Sequence, residues 1–193
     1  MKSGVRVCLV VFACLIKASA AQDASANWDL SIWIAAATGE ELTNSFSEAQ
    51  LWSGGVFAGR MLTPEIGRRW WRGRLEYGFE LMPVFVQSRP NVVYGGGFEP
   101  VILRWNSSIQ LVRASPYVEL AGGALLTTAN FPSGDATSFN FMVDGGGGLR
   151  IAVNPRQFMD IGLRWLHISN ANLGTRNPEF NGIEVRIGYH WMR

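Results

Sequence analysis

The chain has 193 residues, 48% of them hydrophobic, 12% aromatic and 17% charged, with 22 Gly, 8 Trp and a formal net charge of +2. That length suits one domain, and the composition excludes a disordered chain, which would be richer in charge and poorer in aromatic residues. No window supplies the roughly 18 apolar residues of a membrane-spanning helix, so a bundle of membrane helices is excluded as well.

In chain order, Lys2 and Arg6 precede the apolar run 7–16, and the small residues Ala18, Ser19, Ala20 and Ala21 follow it. This is the three-part layout of a secretory signal peptide. Cleavage after Ala21 divides the chain into a leader, 1–21, and a single exported domain, 22–193. Both cysteines, Cys8 and Cys14, and both lysines, Lys2 and Lys17, fall in the leader. The exported domain is then expected to hold no disulfide and no thiolate metal site. Its charge falls to −1, with 14 Arg against 15 acidic residues, which gives no support to a nucleic-acid partner.

Turn-rich clusters punctuate the rest, and between them eight segments alternate polar and apolar residues: 29–37, 49–61, 68–86, 92–105, 116–126, 138–151, 159–168 and 182–191. In the third, Trp71, Leu75, Tyr77, Phe79 and Leu81 share one face and Arg72, Arg74, Glu76 and Glu80 the other. The sixth sets Phe139, Phe141 and Val143 against Asn140, Asp144 and Arg150. The seventh sets Ile161, Leu163 and Trp165 against Asp160 and Arg164, and the eighth sets Ile183, Val185, Ile187, Tyr189 and Trp191 against Glu184, Arg186 and His190.

Eight strands close a small barrel. A soluble barrel would have to crowd its aromatic residues into a lumen that has little room beyond packed side chains. Charged rows of both signs can instead pair across a closed interior while the apolar face meets lipid. The expected fold is all-β, an eight-stranded antiparallel transmembrane β-barrel, in the bacterial outer membrane. Hairpin order places the connections 38–47, 87–91, 127–137 and 169–181 outside and the turns 63–67, 106–114 and 154–157 in the periplasm. The glycine run 145–148 reads as a crowded contact.

Few residues offer chemistry. The two histidines, His167 and His190, lie on different strands with no cysteine nearby, and the run 145–148 lacks the lysine and helix of a phosphate loop, so no metal and no cofactor is expected. His190, on the polar face, reads as an interior hydrogen-bonding residue. There remain His167 and Ser169, two apart and therefore on one face of a strand. A serine becomes a useful nucleophile when a base takes its proton and a third group orients that base. By parity the pair continues the lipid-facing row Ile161, Leu163 and Trp165, an unusual place for polar groups and one that suggests a site meeting lipid.

The stretch His167-Ile168-Ser169-Asn170-Ala171, the later Asn177-Pro178-Glu179-Phe180-Asn181-Gly182-Ile183-Glu184, and upstream residues 116–123 and 138–141 together resemble the PagL-type lipid A 3-O-deacylases. The resemblance implies that Ser169 is the nucleophile, His167 the general base and then acid, and a downstream acid the group that orients His167. It also implies that Asn170, with backbone amides, holds the oxyanion, and that the reaction hydrolyses the ester at the 3-position of lipid A in lipopolysaccharide. The partners it implies are lipid A and outer-membrane lipid, and it admits a homodimer. Apart from the resemblance, Arg176 on the loop after Ser169 could bind a lipid A phosphate, but exposed arginine is common and it reads as bland.

The third member stays open among three residues. Glu184 ends a segment that looks like the family's acid-bearing one, yet alternation puts it inside with Arg186. Asn181 has the outward parity of His167, and Glu179 is a loop acid. A bulge after Asn181 would reverse the parity argument. Two other readings stand beside the esterase: a non-catalytic structural or adhesion barrel, and a soluble periplasmic lipid-binding barrel.

Overall fold

The computed structural model describes residues 28–42 and 44–193, and the expected leader, 1–21, lies outside the described residues. The alternating segments form β1 (Trp28–Gly39), β2 (Gln50–Met61), β3 (Gly73–Arg89), β4 (Val93–Ser107), β5 (Ala114–Phe131), β6 (Thr137–Asn154), β7 (Gln157–Ser169) and β8 (Phe180–Met192). Each strand pairs antiparallel with the next, and β8 returns to β1 to close the barrel. Closure leaves no unpaired sheet edge, which a bilayer would not tolerate. Residues 40–49, 90–92, 132–136 and 170–179 connect strands at one end, the loop end. Trp28, the first described residue of the barrel, and Arg193 lie at the other, the terminal end, where they exchange backbone hydrogen bonds of 2.8 Å.

The wall is apolar outside and charged inside. Ile34, Val56, Phe79, Leu103, Leu120, Leu163 and Val185 stand exposed in rows along its outer face. Inside, Arg104 bonds Glu119 at 2.8 Å, and Arg164 bonds Glu119 at 2.7 Å and Asp144 at 3.1 Å. Arg186 pairs with Glu80 and stacks over the Trp33 ring at 3.7 Å. His190 is the interior residue expected, bridging Asp29 at 2.8 Å and Asp160 at 2.9 Å, while Arg150 holds the other oxygen of Asp29 at 2.9 Å. Removing one partner from such a buried set costs about 3–5 kcal/mol, because the other is left charged in a dry interior. Gly162 faces inward where an added Cβ would collide with the Tyr117 hydroxyl, and Gly146 and Gly148 face inward where one would meet the β7 backbone. The glycine run is thus a crowded contact, as expected.

Towards the loops the lumen changes character. Leu51, Phe85, Leu125, Phe131, Ile168 and Phe180 fill it, with Phe85 edge-on to Phe131 at 5.3 Å. A smaller plug of Met61, Ala152, Phe158 and Met192 closes the terminal end. The charged network is therefore sealed by apolar side chains above and below.

The larger departures from the sequence expectation fall in two connections. The third strand begins at Gly73, not at residue 68, because Arg69–Trp71 form a 3-10 turn and Ile66 pairs with Gly73 across a tight reversal. Gly67 at φ +86° and Arg69 at φ +54° make that reversal, and the Trp71, Arg72 alternation mimics a strand within it. As a result the connection 62–72 is long, although it lies on the side where short turns were expected. Finally, β5 and β6 run on to Phe131 and from Thr137, leaving only 132–136 between them where a loop over 127–137 was expected.

Candidate active site

β7 carries its alternation to its last residue: Ile161, Leu163 and Trp165 point outward, then His167 and Ser169 on the same face, while Leu166 and Ile168 point into the lumen. In the β7–β8 ladder His167 stands directly opposite Asn181, so register alone brings their side chains together. His167 Nδ1 lies 2.7 Å from Asn181 Oδ1, and His167 Nε2 lies 3.0 Å from Ser169 Oγ. An amide oxygen only accepts, so Nδ1 carries the hydrogen and donates it. Nε2 is then the free lone pair that accepts from the Ser169 hydroxyl. Asn181 Nδ2 in turn donates to Glu179 at 3.4 Å, which turns Oδ1 rather than Nδ2 towards the imidazole.

Glu184 is not part of this series. It stands opposite Arg164 in the ladder, faces inward, and shares the interior space lined by Glu80, Arg164 and Arg186. No bulge follows Asn181: the pairing runs without a shift from Phe180 to Trp191, so the parity of β8 holds. The structure thus brings together His167, Ser169, Asn181 and Glu179, and leaves Glu184 on the other side of the wall.

Asn170 follows Ser169 into a tight turn, in which Leu173 N–H donates to Asn170 C=O at 3.0 Å and Ala171 and Asn172 take φ of +52° and +62°. Its own polar groups hold the loop: its N–H donates to Asn177 Oδ1 at 2.9 Å, its Nδ2 to Arg176 C=O at 2.8 Å, and its Oδ1 accepts from Asn172 N–H at 2.9 Å. The expected oxyanion donor is thereby committed to shaping the turn. Arg176, which could have met a phosphate, lies exposed and paired with Asp135 at 3.1 Å.

A second loop buttresses the site, a contact that alternation along single strands does not signal. Ser45 forms a parallel bridge with Glu179 and accepts from Asn181 N–H at 3.2 Å, and Phe46 N–H donates to Glu179 C=O at 2.7 Å. Glu40 N–H also donates to Asn181 C=O at 2.7 Å. Asn181 is therefore fixed at both its backbone groups and both its side-chain ends. On the other flank Ser169 stands opposite Phe141 and His167 opposite Val143, half-exposed apolar residues of β6. Among the described residues no group of His, Cys, Asp and Glu is arranged to hold a metal ion.

A closed eight-stranded barrel with an apolar outer belt, carrying a hydroxyl–imidazole–amide series on its outward face, defines a membrane barrel with a polar cluster at its loop end. The family model described as lipid A 3-O-deacylase (PagL) matches residues 41–190, and the chain belongs to that family. Among solved structures it is similar to the outer membrane enzyme PagL, with 15% identity, a TM-score of 0.60, and coverage of 83% of this chain and 97% of that one. It is equally similar in fold to Neisserial surface protein A, with 13% identity, a TM-score of 0.60, and coverage of 86% and 97%. OprG from Pseudomonas aeruginosa follows with 10% identity, a TM-score of 0.54, and coverage of 87% and 96%. No curated protein sequence matches the chain. The protein is an eight-stranded barrel of the bacterial outer membrane.

Proposed function

We propose that this protein is a serine esterase that removes the ester-linked 3-hydroxyacyl chain from the 3-position of lipid A. One observation carries the reading: the hydrogen-bonded series Ser169, His167, Asn181 lies on the lipid-facing side of the wall, at the loop end. Polar side chains are unusual on that face, where the rows below them are apolar. An ester at the top of the outer leaflet lies level with them, and Ser169 keeps 8% of its surface open to it. The leader 1–21 and the exported barrel 22–193 belong to the same reading, because a chain so exported reaches the membrane from the periplasm and leaves its loop end outside.

In the proposed reaction Ser169 Oγ attacks the acyl carbonyl carbon as its proton passes to His167 Nε2. The tetrahedral intermediate expels the sugar 3-oxygen, which takes that proton from Nε2, and the acyl group stays on Ser169. Water then attacks the acyl-enzyme with His167 again as base. Collapse returns the proton to Ser169 Oγ and releases a 3-hydroxy fatty acid. Asn181 holds the imidazole in the tautomer that can accept from serine, and Glu179 holds the Asn181 amide in the orientation that does so. An amide stabilises imidazolium less than a carboxylate, so the chemical step is slower than an acid-bearing series would allow. The Ala171 N–H is the amide of the turn 170–172 offered to the oxyanion, since the N–H groups of Asn170 and Asn172 are taken up within the loop, and Asn170 acts by keeping that turn in shape. Phe141, Val143 and Leu163 offer the departing acyl chain an apolar track beside the nucleophile.

The test is mass spectrometry of lipid A from cells expressing the wild type or Ser169→Ala, with barrel insertion followed by heat-modifiable gel migration. Loss of one 3-hydroxyacyl mass with the wild type only is the expected result. Unchanged lipid A beside a well-inserted wild type would sink the esterase and leave a non-catalytic barrel.

A further inference from the structure

The formal charge of the described residues is sorted by height in the wall. At the terminal end the exposed acid is Glu65, and it engages Arg72. At the loop end Glu40, Glu41, Glu48, Asp135 and Glu179 outnumber Arg89 and Arg176. The arginines of the terminal end form a continuous arc. Arg156 C=O accepts from Met192 N–H at the end of β8, Arg193 exchanges backbone bonds with Trp28, and Trp28 stands opposite Arg60 in the β1–β2 ladder. The arc then enters the long connection 62–72, which carries Arg68, Arg69 and Arg72.

That connection also displays Trp70 and Trp71, 66% and 56% exposed, with ring centroids 4.5 Å apart. No residue of the 3-10 turn is buried. Trp28, 50% exposed, lies under the Arg60 guanidinium at 5.7 Å. Stacked, exposed indoles beside guanidinium groups, at the edge of an apolar belt, suit the membrane–water interface, where the ring sits among chain shoulders and the N–H reaches water. The planar guanidinium fork matches phosphate oxygens two at a time.

We propose that this arc is a binding rim for anionic phospholipid headgroups in the periplasmic leaflet, with its strongest site at Arg68, Arg69 and the Trp70–Trp71 pair. The occupant follows from charge and position. The rim adjoins the leaflet at the end of the barrel away from the candidate site, where the lipid is phospholipid, while the end facing lipopolysaccharide is acidic. The inference stands apart from the esterase reading and holds whether or not Ser169 is a nucleophile.

The full-length exported barrel, purified and exchanged into micelles with equal phosphatidylglycerol and phosphatidylethanolamine, is to be examined by native mass spectrometry for retained lipid. Preference for phosphatidylglycerol by about fivefold or more is expected, declining as salt rises. Arg60→Gln/Arg68→Gln/Arg69→Gln should bring the two lipids within about twofold, whereas Arg89→Gln at the loop end should leave the preference intact. Trp70→Ala/Trp71→Ala should lower retention of both lipids. Equal retention by the wild type at low salt would overturn the proposal without recourse to any variant, and so would an unchanged preference in a triple variant that keeps heat-modifiable migration.

Discussion

The two halves of the β7–β8 hairpin are built in opposite senses. Towards the terminal end Ile161, Leu163, Val185 and Ile187 face outward and Asp160, Arg164, Glu184 and Arg186 face inward. At the loop end His167, Ser169 and Asn181 face outward and Leu166, Ile168 and Phe180 face inward. The same alternation runs through both, since a strand cannot change parity without a bulge and none interrupts this ladder. What changes is which residue type occupies each face. In the lower half the pattern answers to the bilayer and the closed lumen; in the upper end it sets polar groups outward and apolar groups inward. The inversion marks the candidate site more sharply than any single motif does.

The largest effect expected concerns the outward polar row. Ser169→Ala removes the proposed nucleophile while keeping a small side chain at a position only 8% exposed, so the barrel should insert and migrate as the wild type does. Deacylation rate per inserted molecule should fall by about 10⁴-fold or more, as when the nucleophile of a cooperating set is lost. Retention of even a tenth of the activity in that variant would remove Ser169 from the reaction.

The inward charged row is next. Arg164→Met leaves Glu119 and Asp144 without the guanidinium that bonds both, at 2.7 Å and 3.1 Å. The loss should be about 3–5 kcal/mol, read as a lower midpoint in urea unfolding from vesicles. Activity per folded molecule should change far less than stability. A midpoint equal to that of the wild type would mean that the interior network does not hold the barrel together.

The fold was legible in the sequence because both solvents of this wall, lipid and closed lumen, impose a period of two on every strand. Ile161, Leu163 and Trp165 against Asp160 and Arg164 suffice to orient β7. Legibility fails where the chain leaves the wall: Trp71 and Arg72 continue a strand-like pattern through a turn that Gly67 and Arg69 impose by their left-handed backbone. At the site, parity already paired Asn181 with the outward face, whereas family likeness drew attention to Glu184. The ladder places Asn181 opposite His167 and Glu184 opposite Arg164. The reach of residues 40–46 to Glu179 and Asn181 could not be read at all, because it joins segments more than 130 positions apart and leaves no local pattern.

Asn181→Ala tests whether orientation of the base depends on this amide. Without Oδ1 the imidazole has no acceptor at Nδ1 and can present the wrong tautomer to Ser169. A loss of about 10²-fold in kcat with KM nearly constant is expected, smaller than the loss from Ser169→Ala because the nucleophile and base both remain. Restoring the acceptor as Asn181→Asp together with Glu179→Gln, which relieves the clash of two carboxylates, should recover activity to at least the wild-type level. An Asn181→Ala enzyme with unaltered kcat would mean that the 2.7 Å contact positions nothing.

The smallest effect expected belongs to Glu184→Gln. Its carboxylate lies on the inner face beside its ladder partner Arg164 and beside Arg186, two residues on along β8, and reaches no member of the outward series. Glutamine keeps its volume, and changes at separated sites without shared partners act independently. Deacylation per inserted molecule should stay within about twofold of wild type, with any change confined to the unfolding midpoint. A drop in kcat matching that of Asn181→Ala would place the acid in the mechanism after all, and would require the wall between Glu184 and His167 to open during turnover. The contrast between these two neighbours on β8, three residues apart and on opposite faces, therefore decides whether the face of the strand or the identity of the side chain assigns the orienting role.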